Sequence, residues 1–183
     1  MRVAALVAPL IPETRAVAVL SSGGGWSMTE ELPFLVADDM RKGGAPTLQI
    51  EEHLQSMKET MKRIAEDPVW NKEWLSDKKL ARNTYRYWDS VLTRRSDIAL
   101  LKLSVPILIV HGELDAAVPI ASADALKQAF ARAGKTNLEY RRIPAMGHSV
   151  NPAVLEEVSG WLLKQGASPR RGTPNTYLDQ GAP

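Results

Sequence analysis

The sequence predicts an α/β fold in which a parallel sheet with flanking helices is interrupted by a mainly helical insertion. The continuous apolar, β-branched run from Ile107 to Val110 is typical of a strand buried on both faces, as in parallel sheets. A further apolar run, Ala16 to Leu20, and the segment Leu138 to Ile143 are also predicted strands. In chain order Ala16 to Leu20 is the first strand, Ile107 to Val110 the second and Leu138 to Ile143 the third. Because helical patterns separate these runs, the strands are expected to be parallel and joined by crossovers.

Two helices are predicted before the second strand. Arg2 to Ala8 forms a short, alanine-rich helix that Pro9 ends. Pro46 and Thr47 begin a longer helix, and Pro68 closes it. Its apolar residues recur at steps of three and four, the spacing of one buried helix face. These residues are Ile50, Leu54, Met57, Met61 and Ile64.

Two further helices follow the second and third strands. Ser122 is the predicted N-cap of the first, and Gly134 marks its end. Asn151 and Pro152 supply the N-cap and first turn of the last helix. The apolar residues of the two helices are Leu126, Phe130, Val154, Leu155, Val158, Trp161 and Leu162.

These patterns divide the chain into four parts. Residues 1–28 hold a helix and a strand of the core, and residues 101–166 hold the other two strands with their helices. Residues 29–100 form the mainly helical insertion, and residues 167–183, rich in proline, glycine and polar side chains, form a disordered tail. In the insertion, several aromatic residues lie close together along the sequence. They predict further short helices that pack on one shared hydrophobic cluster. They are Trp70, Trp74, Tyr85, Tyr87 and Trp88.

Composition excludes several classes of protein. Lys and Arg number 23 against 21 Asp and Glu, so neither nucleic acid nor a membrane surface is the expected partner. There is no cysteine, which excludes disulfides and thiolate nucleophiles and permits a reducing compartment, with the cytoplasm favoured. The first residues imitate a signal peptide with Ala16-Val17-Ala18 as its cleavage site, but Pro9, Pro12, Glu13 and Arg15 count against it.

Two short motifs carry the chemistry. The second strand runs into His111-Gly112-Glu113-Leu114-Asp115-Ala116-Ala117-Val118-Pro119, and the third runs into Ala145-Met146-Gly147-His148-Ser149. A right-handed crossover places both loops at the carboxyl edge of adjacent parallel strands. A carboxylate can fix the tautomer of an imidazole that relays a proton near neutral pH. Taken singly, Asp115 is explained as a turn residue and His148 as a helix-entry residue.

These motifs resemble the C-terminal half of the α/β-hydrolase family. In that family a Gly-x-x-Asp-x-x-Val-Pro turn holds the acid of a catalytic triad, and a Gly-His loop after the next strand holds the base. The resemblance implies that Asp115 is the acid and His148 the general base of a serine hydrolase acting on an ester or amide bond. It also implies that residues 29–100 correspond to a cap or lid.

Three further stretches resemble bacterial peptidase-like members, of the prolyl-oligopeptidase or serine-aminopeptidase kind. They are Asn83-Thr84-Tyr85-Arg86-Tyr87-Trp88, Val105-Pro106-Ile107-Leu108 and Ala133-Gly134-Lys135-Thr136-Asn137-Leu138. The resemblance as a whole covers Arg2 to Lys164.

The nucleophile of such a triad is absent from the sequence. The family carries it in Gly-x-Ser-x-Gly, which occurs nowhere here. When Arg2 to Ala8 is aligned with the helix after that turn, the sequence begins just past the serine, so we expect the nucleophile to come from other residues and the chain alone to be inactive. The alternative nucleophile is Ser27 in Gly25-Trp26-Ser27-Met28-Thr29, where Thr29 replaces the second glycine. A hypothesis from another class is a non-catalytic module for binding or assembly.

Other patterns point to no cofactor and no metal. Gly23-Gly24-Gly25 is more simply a strand-end loop than a dinucleotide site, because Met28 occupies the position of the third glycine. His111, Glu113 and Asp115 could be drawn as metal ligands, but His111 is expected to pack at the strand end. His53 lies on an amphipathic helix and is expected to be solvated. The expected partner is a small-molecule ester or amide or a peptide substrate, with association through an exposed sheet edge.

Overall fold

The computed structural model describes residues 2–66 and 78–166. The predicted tail 167–183, together with Pro68, Trp70 and Trp74, lies outside these residues. In chain order the elements are α1 (Arg2–Val7), β1 (Val17–Leu20), α2 (Met28–Lys42), α3 (Thr47–Glu66), β2 (Lys79–Leu80), β3 (Asn83–Thr84), α4 (Tyr85–Val91), α5 (Ser96–Leu101), β4 (Ile107–Gly112), α6 (Ile120–Arg132), β5 (Leu138–Ile143) and α7 (Pro152–Gly166).

The sheet consists of three parallel strands with β4 in the middle. Ile107 at the start of β4 pairs with Val17 of β1 on one side and with Leu138 of β5 on the other. The prediction of an α/β fold with a parallel sheet is confirmed. Within the described residues β1 and β5 each pair with β4 alone, so both are edge strands of this sheet.

Helices cover both faces of the sheet, and all of β4 is therefore buried. On one face α1, α5 and α6 pack on the odd-numbered residues of β1 and β4. On the other face α7 packs on the even-numbered residues of β4. The buried residues of the first face are Ala5, Val17, Val19, Leu100, Leu103, Ile107, Ile109, Leu126 and Phe130. Those of the second face are Leu108, Val110, Met146, Val154, Val158 and Trp161.

The segment between β1 and β4 has a separate hydrophobic core. Its helices α2, α3 and α4 enclose Leu32, Met57, Met61, Ile64, Trp88 and Leu92. A two-stranded antiparallel hairpin, β2 and β3, accompanies them, and the Trp88 indole donates a hydrogen bond of 2.8 Å to the Leu80 carbonyl. The described part of this segment, without residues 67–77, is thus mainly helical. Among the helices of the described residues, none is long and apolar enough to cross a membrane.

The loop after β1 docks closely on the start of α6. The Gly25 amide donates to the Ser122 carbonyl at 3.0 Å, and the Trp26 amide donates to the Ser122 hydroxyl at 3.3 Å. The prediction that Ser122 is an N-cap is therefore wrong: Pro119 occupies that position, and Ser122 is a fully buried residue of the first turn. A methyl group on Gly25 would lie 2.3 Å from the Leu126 nitrogen, so only glycine fits there.

An ionic cluster joins the beginning of α2 to the beginning of α5. The Arg95 guanidinium donates two hydrogen bonds to the Asp97 carboxylate, at 3.0 and 2.8 Å, and lies 3.7 Å from Glu30. Burial acts to raise the pKa of Asp97, but hydrogen bonds from Arg95 and backbone amides outweigh it and hold that pKa below its ordinary value.

The contact at Gly25 predicts opposite effects of two glycine replacements. Gly25→Ala should lower the free energy of unfolding by about 3 kcal/mol, because the new methyl group collides with backbone atoms that cannot move aside. Gly160→Ala, in α7 where nothing lies within 4 Å of the added carbon, should raise it by about 0.5 to 1 kcal/mol. Urea denaturation measures both, and equal stabilities for the two variants would contradict the docking.

The Asp97 ion pair predicts a pH-dependent loss of stability. Asp97→Asn should lower the free energy of unfolding by about 1 to 3 kcal/mol at pH 7. Because the folded pKa is lowered, this contribution is complete above the unfolded pKa of about 3.9 and disappears as pH falls through the folded value. Denaturation should show the same difference at pH 7 and pH 5 and a smaller one at pH 3, whereas Asp39→Asn, at an exposed position of α2, should change little. A difference independent of pH would refute this assignment.

Candidate active site

The loop after β4 holds a buried carboxylate. One oxygen of Asp115, Oδ1, accepts hydrogen bonds from the backbone amides of Ala117 and Val118, each at 2.9 Å. The Asp115 side chain has no exposed surface. Two backbone amides of its own loop therefore fix the carboxylate, independently of its contacts with other side chains.

The loop after β5 is held against this acid loop by its backbone. The Leu114 amide donates to the Met146 carbonyl at 3.0 Å, and the Glu113 amide donates to the Ile143 carbonyl at 3.1 Å. A methyl group on Gly112 would lie 2.1 Å from the Met146 oxygen. The two loops can approach this closely because Gly112 has no side chain.

Asp115 and His148 are brought together where these loops meet. His148 Nδ1 lies 3.0 Å from Asp115 Oδ2 and 3.2 Å from Oδ1. Since both oxygens can only accept, Nδ1 carries the proton, and Nε2 keeps a free lone pair. The His148 side chain is 54% exposed while that of Asp115 is fully buried. The arrangement can chemically take up a proton at Nε2 from a group in solvent reach.

A second histidine, His111, contacts the same carboxylate from inside the sheet. It is the fifth residue of β4 and is fully buried, as expected for a residue that packs at a strand end. Its Nε2 lies 3.0 Å from the Val118 carbonyl and 3.5 Å from Asp115 Oδ2. The sequence analysis missed the contact with Asp115. The available signal was that His111 and Asp115 are four residues apart with a predicted turn between them, which can bring their side chains together.

Ser27 is engaged as the N-cap of α2. Its hydroxyl donates to Glu30 Oε2 at 2.8 Å and also lies 2.7 Å from the Thr29 hydroxyl, and its backbone amide donates to the same Glu30 oxygen at 2.7 Å. The residue is buried. This is the return half of a capping box, which is a structural role.

The residues that the sequence analysis considered as metal ligands or as a dinucleotide loop form no such site among the described residues. Glu113 points to the surface, where Arg142 lies 3.2 Å away, and His53 is exposed on α3. Over residues 2–66 and 78–166, no three histidine, aspartate or glutamate side chains gather as metal ligands. Gly23 packs on the Ser122 side chain, which explains the small residue without a dinucleotide.

A polar cluster on β5 and α6 supports the acid loop from outside. The Tyr140 hydroxyl donates to Asp124 at 3.0 Å, and Arg142 lies between Asp124, at 3.7 Å, and Glu113. Burial raises the pKa of Tyr140, and the bond to Asp124 raises it further, so the phenol stays protonated and keeps donating.

A cleft of about 300 Å³ lies beside Asp115, between α2 and the acid loop. Apolar side chains form much of its lining, with an ion pair of 2.6 Å between Asp38 and Lys42 among the charged groups. The lining residues are Phe34, Leu35, Asp38, Lys42, Glu113, Leu114, Asp115, Ala116 and Pro119. The helical segment therefore contributes one wall next to the Asp115 and His148 pair.

Several solved structures are similar to this chain. Est1E from Butyrivibrio proteoclasticus is 20% identical with a TM-score of 0.53, over 91% of this chain and 57% of Est1E. Rv0554 from Mycobacterium tuberculosis is 17% identical with a TM-score of 0.47, over 91% of this chain and 62% of that one. A thermophilic esterase from Thermogutta terrifontis is 18% identical with a TM-score of 0.38, over 82% and 56%. The chain spans less than two thirds of the length of each.

The likeness to Est1E shows the fold alone, which is part of an α/β-hydrolase fold. No curated protein matches the sequence at a significant level. Residues 52–166, more than half of the chain and including both Asp115 and His148, match the prolyl oligopeptidase family. The chain therefore belongs to the prolyl oligopeptidase family, within the α/β-hydrolase superfamily.

Proposed function

We propose that this chain supplies the general base and the acid of a serine hydrolase that cleaves an ester or amide bond. The observation that carries the proposal is the pairing of exposed His148 with buried Asp115 at 3.0 Å, on loops that leave adjacent parallel strands. His148 is the base that takes the proton of the serine and returns it to the leaving group. Asp115 orients the ring and stabilises the imidazolium that forms.

The cleft beside Asp115 is the proposed substrate site. Phe34 and Leu114 are exposed there, and exposed apolar side chains next to a catalytic pair suit the apolar part of a substrate. Asp38 and Lys42 would meet polar groups of the substrate. Membership of the prolyl oligopeptidase family supports a peptide or a related amide or ester as the substrate. Residues 29–100, whose helix α2 lines the cleft, are proposed to act as its cap.

The nucleophile is proposed to come from residues other than these. Gly-x-Ser-x-Gly does not occur in the sequence, and the hydroxyl of Ser27 is held by Glu30. The edge of β1 that faces away from β4 is where a strand bearing the serine would pair. The serine, at the end of that added strand, would then lie at the same edge of the sheet as the Asp115 and His148 pair.

Replacing His148 tests the catalytic assignment. In a form of the protein that includes an in-frame Gly-x-Ser-x-Gly segment, His148→Ala should lower kcat on a p-nitrophenyl ester by roughly 10⁴ to 10⁶, because serine loses its base. His53→Ala is the matched control, since it removes an exposed histidine from α3 and should leave kcat unchanged. Unchanged turnover after His148→Ala would remove the hydrolase mechanism and favour the binding module.

Reaction with a fluorophosphonate tests the source of the nucleophile. This chain by itself should not be labelled, because its buried Ser27 hydroxyl is bonded to Glu30 and serves the helix cap. Labelling that disappears in Ser27→Ala, measured by mass spectrometry of the intact protein, would establish Ser27 as the nucleophile instead. Ser22→Ala provides a control for labelling of a neighbouring serine.

A further inference from the structure

Two buried polar atoms of the described residues have no hydrogen-bond partner. They are the Ser21 hydroxyl oxygen and His111 Nδ1. Ser21 is 6% exposed and His111 is fully buried, so water at the surface does not reach them. Leaving a buried donor or acceptor unpaired is unfavourable, and two such atoms in one small region call for an explanation.

The two residues are neighbours on adjacent strands. Leu20 pairs with Val110 in the parallel register, and the Ser21 amide continues the ladder by donating to the Val110 carbonyl at 2.9 Å. The next position on β4 is His111, which therefore lies beside Ser21. His111 also continues the alternation of Ile107 and Ile109, which face the core cluster that contains Val17 and Val19.

Their hydrogen-bonding needs are complementary. His111 Nε2 faces two acceptors, the Val118 carbonyl and the Asp115 carboxylate, so Nε2 carries the ring proton. Nδ1 of the neutral ring is then an acceptor that requires a donor. The Ser21 hydroxyl is a donor that requires an acceptor. It can turn by rotation about one side-chain bond, and a single water can bridge a longer gap.

The backbone at Ser21 is held in an unusual conformation. Its φ is +46°, in the left-handed region that residues other than glycine, asparagine and aspartate rarely adopt. Such a conformation is strained and persists only where the surroundings enforce it. Here the docking of Gly25 on α6 fixes the loop that follows. The fold thus keeps this serine at the end of β1 despite the strain.

We propose that the Ser21 hydroxyl donates to His111 Nδ1 and thereby holds His111 as a positioning residue for Asp115. The bond from Ser21 keeps the ring proton on Nε2, where the Val118 carbonyl accepts it at 3.0 Å and Asp115 Oδ2 lies 3.5 Å away. Asp115 Oδ1 is fixed by two amides, and the buried His111 ring packs beside Oδ2, the oxygen nearest to His148. The effect on catalysis depends on the proposed roles of Asp115 and His148; the hydrogen bonds do not.

Nuclear magnetic resonance of the histidine rings tests the Ser21 bond in this chain without any need for activity. The sequence has three histidines, and exposed His53 gives the reference signal of a solvated ring. In ¹⁵N-labelled protein, His111 should show the Nε2-protonated tautomer. Ser21→Ala should shift the Nδ1 resonance of His111 toward that of an imidazole nitrogen without a donor, and Ser22→Ala should not. An Nδ1 resonance unchanged by Ser21→Ala overturns the proposal.

The positioning role is tested at His148. His111→Phe should increase the solvent exchange rate of the His148 Nδ1 proton by roughly tenfold, because Asp115 Oδ2 loses the polar Nε2–H group that lies 3.5 Å from it. His111→Gln, whose amide can still donate, should restore slow exchange. A folded His111→Phe protein with unchanged exchange overturns the positioning role, and if that variant does not fold, unchanged exchange in Ser21→Ala does so. Unchanged turnover after His148→Ala would contradict the proposed function instead. That outcome would not alter the histidine resonances on which the Ser21 bond is judged.

Discussion

The close approach of two backbone loops at Gly112 is the constraint on which the candidate site depends. Strands β4 and β5 run in register until Gly112 lies opposite Ile143, so both end at the same level. The missing side chain of Gly112 then lets the Met146 carbonyl come close enough to accept from the Leu114 amide. Asp115 and His148 each lie within two residues of these contacts. Their geometry is therefore a product of main-chain packing more than of attraction between the two side chains.

The surrounding fold stabilises this edge in two ways. Helices on both faces bury all of β4, which fixes the strand from which the acid loop departs. The loop after β1 packs on the first turn of α6, the helix that begins directly after the acid loop. The separate hydrophobic core of α2, α3 and α4 places α2 across the cleft from Leu114 and Ala116. Both walls of the cleft are thus attached to independently packed units.

Local patterns were enough to predict the strands, the parallel sheet and the meeting of Asp115 with His148. These features follow from apolar runs and from the spacing of two loops along the chain. The true role of Ser122 could not be predicted, because it depends on a backbone 96 residues away in sequence. The contact of His111 with Asp115 likewise depends on how tightly the loop turns. The β2 and β3 hairpin has only two residues in each strand, too few for a pattern to form.

The way Asp115 is held separates two properties of the acid loop. The main-chain amides of Ala117 and Val118 donate hydrogen bonds to the carboxylate, and the main-chain amide of Leu114 binds the loop to the Met146 carbonyl. The side chains of Leu114 and Ala116 take no part in either task and face the cleft. Amides are common to every residue except proline, so these two positions can diversify while the carboxylate stays in place. The loop consequently presents two replaceable side chains on a main-chain support, and these two positions are where the surface of the cleft can be altered without moving the carboxylate.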